Sequence, residues 1–157
     1  MDGLRDLYQD VILEHGRNPR NKGLPADADR RADGRNPNCG DRVSVALRLD
    51  GERIAAIGFE GEGCAISMAS ASMMTDVVKG VETAVALRLF ADFRKLCSVA
   101  AGDGETVLDG QGLGEDLVDR LKVMAGVRQF PARVKCATLP WAALAAALEG
   151  ETEASSE

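Results

Sequence analysis

Histidine and aromatic residues are scarce in this sequence: His15 is the single histidine, and Phe, Trp and Tyr make up 4% of 157 residues. A Cys–His catalytic dyad would have to use His15, which is far in sequence from every cysteine, so a packing role at a helix end suits it better. Trp141 and Tyr8 read as packing anchors rather than as platforms for stacked bases. A basic excess is lacking too, since 19 Lys and Arg face 25 Asp and Glu, a formal net charge of −6. That argues against nucleic acid as the main ligand, because a phosphate backbone demands a basic field. No apolar run approaches the roughly 20 residues that a membrane helix needs; Ala142 to Leu148 is the longest candidate. The N-terminal stretch carries Asp2, Arg5, Asp6, Asp10 and Glu14 without a continuous apolar segment. No export signal and no membrane partner are therefore expected, and the expected location is the cytoplasm.

What is present is a foldable core: hydrophobic residues make up 45% and charged residues 28%. The length suits one domain, taken as residues 1–149, followed by an acidic tail at 150–157 that is expected to be frayed. Leu4, Leu7, Tyr8, Val11 and Ile12 recur at helical spacing, which predicts a helix over 4–15 ended by Gly16 and Pro19. Residues 16–38 show almost no apolar periodicity and read as a long loop, a feature often tied to function. From Val43 the pattern alternates strictly through Val45, Leu47 and Leu49; Asp50-Gly51 signals a hairpin, and Ile54, Ile57 and Phe59 continue a second strand. Helices are predicted over 65–79, over 82–96, from Leu113 through Leu121 and Met124, and over 139–149. The last would be capped by Thr138, with Pro140 in its first turn. The expected architecture is α+β: a small antiparallel sheet of about three strands, an N-terminal helix, and several helices packed on one side.

Four cysteines are too few for a disulfide scaffold and are expected to be reduced. Cys39 lies in Asn36-Pro37-Asn38-Cys39-Gly40-Asp41, where Gly40 lets a thiolate and a carboxylate two positions apart converge. Cys64 lies in Gly61-Glu62-Gly63-Cys64-Ala65 at a helix N-terminus, where dipole and unpaired amides favour an anionic sulfur. Cys136 is expected just before the last helix, flanked by Arg133 and Lys135. Three thiolates and the Asp41 carboxylate make a tetrahedral donor set that prefers zinc and also accepts iron. Arg42, Arg133 and Lys135 are near in sequence and could offset its negative charge. No short Cys-x-x-Cys pair is present, so spacing alone leaves two readings: a metal site, or three reduced, part-buried thiols at the ends of elements. Cys97 continues the stripe of Phe93 and reads as a buried helical thiol, and Met68, Met73 and Met74 read as core filling. Gly61 and Gly63 lack the Lys-Ser/Thr pair of a phosphate loop.

These segments resemble the NifU N-terminal/IscU-like iron–sulfur cluster assembly family, and within it the SufU type. The resemblance runs from about Leu7 to Leu148. It is carried by Asn36-Pro37-Asn38-Cys39-Gly40-Asp41, Gly61-Glu62-Gly63-Cys64-Ala65-Ile66-Ser67, Ala69-Ser70-Ala71-Ser72-Met73-Met74-Thr75 and Arg133-Val134-Lys135-Cys136-Ala137-Thr138-Leu139-Pro140-Trp141. IscU-type scaffolds carry a metal-ligating His before the third cysteine, where this chain has Lys135; their Leu-Pro-Pro-Val-Lys chaperone segment is here Gln129-Phe130-Pro131-Ala132-Arg133. The stretch from Glu82 to Gly112 is where the extra length of the SufU type would lie.

The resemblance implies zinc held by Cys39, Asp41, Cys64 and Cys136. It implies that Cys39 accepts persulfide sulfur from a SufS-type, PLP-dependent cysteine desulfurase, a histidine of which displaces Cys39 from the zinc. Arg133 and Lys135 would steer or stabilise the anionic persulfide, and a downstream iron–sulfur scaffold would take the sulfur. The activity implied is that of a zinc-dependent sulfurtransferase. The alternative is a scaffold on which the same cysteines and Asp41 assemble a [2Fe–2S] cluster.

Overall fold

The computed structural model describes residues 10, 12–36, 40–97, 121, 124, 127 and 131–155. Its strands are β1 (Arg30–Asn36), β2 (Asp41–Asp50), β3 (Arg53–Glu62) and β4 (Glu153–Ser155). Its long helices are α1 (Ala65–Val78), α2 (Thr83–Cys97) and α3 (Pro131–Leu148), and residues 12–17 form a helical segment at the N-terminal side. The mixed α+β architecture agrees with the expectation, with four strands in the order β3-β2-β1-β4. Among the described residues, no helix is long and apolar enough to cross a membrane. Leu4, Leu7, Tyr8, Val11, Cys39 and most of the helical pattern beginning at Leu113 lie outside the described residues.

β2 and β3 form the expected hairpin, in antiparallel register from Arg42↔Glu62 to Asp50↔Arg53. Gly51 takes a φ of 64° in the turn, the left-handed region that glycine enters without a Cβ penalty. Val43, Val45 and Leu47 are buried, and the alternation slips at a bulge between Arg48 and Leu49.

β1 is a correction, because it occupies the end of the segment expected to be a loop. Its inward residues are Ala32, Gly34 and Asn36, and its outward ones are Arg31, Asp33 and Arg35. The period-two pattern exists, but small and polar residues carry it, so hydrophobic alternation does not reveal it. Small inward residues are required because α3 lies directly over them: a Cβ on Gly34 would stand 3.1 Å from Leu139 Cδ1 and 3.4 Å from Ala143 Cβ.

α3 is a second correction, since it begins at Pro131 rather than at Leu139. Pro131 stands at its first position, a natural place for proline, whereas Pro140 is inside the helix. Thr138 is no cap; its hydroxyl donates back to the carbonyls of Val134 and Lys135 at 3.2 and 3.4 Å. The acidic tail also departs from a wholly frayed segment. Glu153–Ser155 pairs in parallel with Asp33–Arg35 and extends the sheet beyond β1, satisfying backbone groups along that edge.

α3 packs on β1 and β2 and against α1 and α2. Trp141 anchors this layer, stacked on Phe93 with ring centroids 4.8 Å apart and more loosely on Phe90. Residues 20–23 dock along β3 and α1. Gly23 N–H donates to Phe59 O at 2.8 Å, Phe59 N–H to Asn21 O at 3.1 Å, and Arg20 N–H to Ser72 Oγ at 2.7 Å. His15 is buried, and its Nδ1 lies 2.6 Å from the same Ser72 Oγ, so it serves to dock the N-terminal helical segment.

Gly58 marks the tightest approach of that docked segment: a Cβ there would stand 1.9 Å from the Gly23 carbonyl oxygen. Gly58→Ala is expected to destabilise the fold by at least about 1–3 kcal/mol, the usual range for overpacking. Urea unfolding monitored by circular dichroism checks this, and an unchanged midpoint would refute the docking geometry.

Candidate metal centre

The β1–β2 turn delivers a carboxylate. Gly40 takes a φ of 75°, and its N–H donates to the Asn36 carbonyl at 2.9 Å, which closes the turn immediately before Asp41. Asp41 is the first residue of β2 and is only 2% exposed. A carboxylate this buried needs partners. Its Oδ1 accepts the Cys64 backbone N–H at 2.9 Å, and its Oδ2 lies 3.6 Å from Cys64 Sγ.

Cys64 is the N-cap of α1, with φ −71° and ψ 165°, and its sulfur accepts the Ser67 N–H at 3.4 Å. A thiol thereby takes the place that Ser, Thr, Asp or Asn usually occupies at a helix start. Gly63 leaves room for this junction, because a Cβ there would stand 2.7 Å from Asp41 Oδ1. Cys136 comes from a third element. It is fully buried in the second turn of α3, within the helix rather than before it as the sequence suggested.

Asp41, Cys64 and Cys136 each offer one ligand atom, and these atoms lie within 4.8 Å of one another. Two sulfurs and a carboxylate oxygen suit tetrahedral zinc, and the same sulfurs accept iron. Three negative charges from these donors exceed the two positive charges of zinc, so a nearby cation is useful. Arg133 supplies it. Its side chain hydrogen-bonds Cys136, and this bond, then the charges of Cys64 and Cys136, push the guanidinium pKa further above its already high ordinary value.

The two cations flanking Cys136 in sequence are thus not equivalent. Both are exposed, but Arg133 precedes Cys136 by three residues and shares its helix face, whereas Lys135 is displaced by about 100° around the axis. Of the four sequence-predicted ligands, three converge; Cys39 lies outside the described residues. Cys97 stands apart, fully buried at the end of α2, with its sulfur 3.9 Å from the Met124 carbonyl. Sequence reasoning did not single out Gly63 for its closeness to Asp41, a contact that depends on the β3–α1 junction meeting β2, whereas the Ser67 amide is the local capping donor that a thiol at a helix start implies.

Several known proteins share this arrangement of chain. The family model described as the NifU-like N-terminal domain matches residues 7–137. The chain is 44% identical over 144 residues to the zinc-dependent sulfurtransferase SufU of Bacillus subtilis (strain 168), covering 90% of this chain and 88% of that protein. It is 36% identical over 151 residues to the iron–sulfur cluster assembly scaffold protein IscU of Streptococcus pyogenes serotype M1, covering 96% of this chain and 88% of the relative. The crystal structure of a candidate iron–sulfur cluster assembly scaffold protein for the SUF system, from thermophilic Fervidobacterium islandicum AW-1, superposes with a TM-score of 0.76 at 28% identity. That similarity covers 90% of this chain and 96% of the other.

The three donors come from β2, the start of α1 and α3, so metal binding and folding are coupled. Chelation of zinc from the loaded protein is expected to lower the thermal midpoint, and Gly63→Ala to weaken zinc binding by displacing Asp41. Cys97→Ala is expected to leave zinc affinity unchanged. Calorimetry and zinc titration check these outcomes; an unchanged midpoint after verified metal removal would contradict the coupling.

Proposed function

The chain belongs to the NifU-like N-terminal domain family, and from that membership we propose that it works in iron–sulfur cluster assembly as a zinc-dependent sulfurtransferase. It accepts persulfide sulfur on Cys39 from a SufS-type, PLP-dependent cysteine desulfurase in the cytoplasm and passes it to a downstream iron–sulfur scaffold. The observation that carries this reading is the mixed donor set of Asp41, Cys64 and Cys136 within 4.8 Å. Closed structural zinc sites favour Cys and His, so a carboxylate ligand argues against a merely structural ion. Likeness to the Bacillus subtilis sulfurtransferase at 44% identity supports the same choice.

Cys39, Asp41, Cys64 and Cys136 would hold the zinc, which when bound keeps the thiols deprotonated and muted as nucleophiles. Asp41 is held by the Cys64 amide, which fixes its carboxylate as a ligand independently of Cys39. The Cys39 thiolate, once free, attacks the terminal sulfur of the desulfurase persulfide. A new S–S bond forms on Cys39, the donor's S–S bond breaks, and the donor cysteine leaves as a thiolate. Arg133, already beside Cys136 and Cys64, offers a cation to the anionic persulfide. Lys135, exposed on the neighbouring face, adds longer-range attraction for the incoming anion. Two thiols of a reductant then break the Cys39 S–S bond, release the outer sulfur as sulfide and become a disulfide, which returns Cys39 to its thiolate.

The scaffold reading, with a [2Fe–2S] cluster on the same residues, draws on the 36% identity to the Streptococcus pyogenes scaffold. Lys135 weighs against it, because a protonated ammonium has no lone pair to give a metal.

Desulfurase turnover with sub-stoichiometric zinc-loaded protein and a thiol reductant separates the two. Many turnovers per molecule are expected, abolished by Cys39→Ala and preserved by Cys97→Ala. Normal transfer by Cys39→Ala would overturn the relay, and accumulation of iron and sulfide without stimulated turnover would establish the scaffold.

A further inference from the structure

Pro140 interrupts α3 one turn beyond Cys136. Proline has no N–H, so the carbonyl of Cys136 cannot receive the helical bond from residue 140, and the ring crowds that carbonyl. The turn that carries a metal donor is therefore closed by one backbone bond fewer than an ordinary helical turn, at the place where proline kinks helices.

Ser70 braces this turn from outside. Its hydroxyl donates to the Ala137 carbonyl at 2.5 Å, and both residues are fully buried. Ser70 stands in α1, the helix whose N-cap is Cys64. Serine inside a helix ordinarily turns its hydroxyl back onto a carbonyl of its own helix; this one crosses to α3. A buried hydroxyl is costly without a partner. The flanking residues in α1, Ala69 and Ala71, are likewise fully buried, so this part of the core accepts a bare methyl group. The hydroxyl at position 70 thus joins the element bearing Cys64 to the element bearing Cys136.

We propose that Ser70 is a positioning residue for the metal centre: its hydrogen bond to the Ala137 carbonyl holds the turn that Pro140 weakens and thereby sets the Cys136 sulfur against Cys64 and Asp41. The proposal rests on the metal-site reading above and concerns the free protein, before any partner or sulfur is involved.

The test uses the full chain, with zinc affinity measured by competition against a chromophoric chelator. Cobalt(II) substitution adds a second readout, the ligand-field and sulfur-to-metal charge-transfer bands. The variants are Ser70→Ala, Ser72→Ala, Pro140→Ala and Ser70→Ala combined with Pro140→Ala, with thermal midpoints of the metal-free forms recorded alongside. Ser70→Ala is expected to weaken zinc by about 10-fold, at the lower end for residues that orient metal ligands, and to shift the cobalt bands. Ser72→Ala, which loses the buried contacts to His15 and to the Arg20 amide, is expected to move the thermal midpoint but neither metal readout.

Pro140→Ala supplies an amide to the Cys136 carbonyl, so in that background the loss of Ser70 is expected to cost little affinity. Folded Ser70→Ala with wild-type affinity and bands would overturn the proposal, as would equal metal losses in Ser72→Ala. Should Ser70→Ala alone fail to fold, the two Pro140→Ala proteins decide: equal affinities support positioning through the weakened turn, and a 10-fold gap overturns it. A wild-type chain that binds neither ion sinks the metal-site reading together with this proposal. Tight wild-type binding with an unresponsive Ser70→Ala sinks this proposal alone.

Discussion

Two thiols and a carboxylate within 4.8 Å of one another repel once they are deprotonated, and the fold must hold them there. Burial sharpens the conflict, since Asp41 is 2% exposed and Cys136 is fully buried. The answer is partly electrostatic. The Cys64 amide donates to Asp41, the Ser67 amide donates to Cys64 Sγ, and Arg133 bonds Cys136. Two of these offsets are backbone N–H groups at the start of α1, where a helix has unpaired donors to give. A cation bound among the donors completes the balance, which is why metal binding and folding form one problem here.

Steric room is the other half of the answer. Each donor sits beside a residue with little or no side chain: Gly40 turns the chain into Asp41, and Gly63 clears space for its carboxylate. Ala32 and Gly34 lower the surface of β1 so that α3 can lie close, with Leu139 and Ala143 against Gly34. On its other side Trp141 stacks on Phe93, which fixes the helix that carries Cys136 between sheet and α2. A polar group of His15, Arg20, Asn21, Ser72 and Thr75 docks the chain before β1 onto α1. The site is held by packing of these layers together with the polar contacts among Asp41, Cys64 and Ser67.

The elements that were legible in the sequence are those whose buried faces are hydrophobic. Val43, Val45 and Leu47 mark β2, Ile54, Ile57 and Phe59 mark β3, and Leu89, Phe93 and Leu96 mark the stripe of α2. β1 escaped because its inward face is Ala32, Gly34 and Asn36, which carry no hydrophobic period. The start of α3 escaped for two reasons. Pro140 imitates a proline at a helix start, and the helix is buried around most of its circumference, which leaves no amphipathic stripe to read. The strand in the acidic tail depends on pairing with Asp33–Arg35 and has no local signature.

At the site, residue chemistry alone offered candidate donors and left open whether they bind a metal: a thiol beside a glycine turn, a thiol at a helix start, a thiol among cations, and a carboxylate two positions after the first. Those are properties of a few adjacent residues, and they survive without knowledge of the fold. Whether the donors meet is a different quantity, set by strand register and helix packing across separations of 23 residues between Asp41 and Cys64 and far more to Cys136. The sequence could not distinguish Arg133 from Lys135, both charged and both near Cys136; helical phase put Arg133 on the thiol's face and Lys135 off it. The sequence by itself determined which atoms could bind a metal, because ligand character is local chemistry. Only the tertiary structure decided that Asp41, Cys64 and Cys136 stand close enough to bind one together, because convergence is a long-range consequence of how β2, α1 and α3 pack.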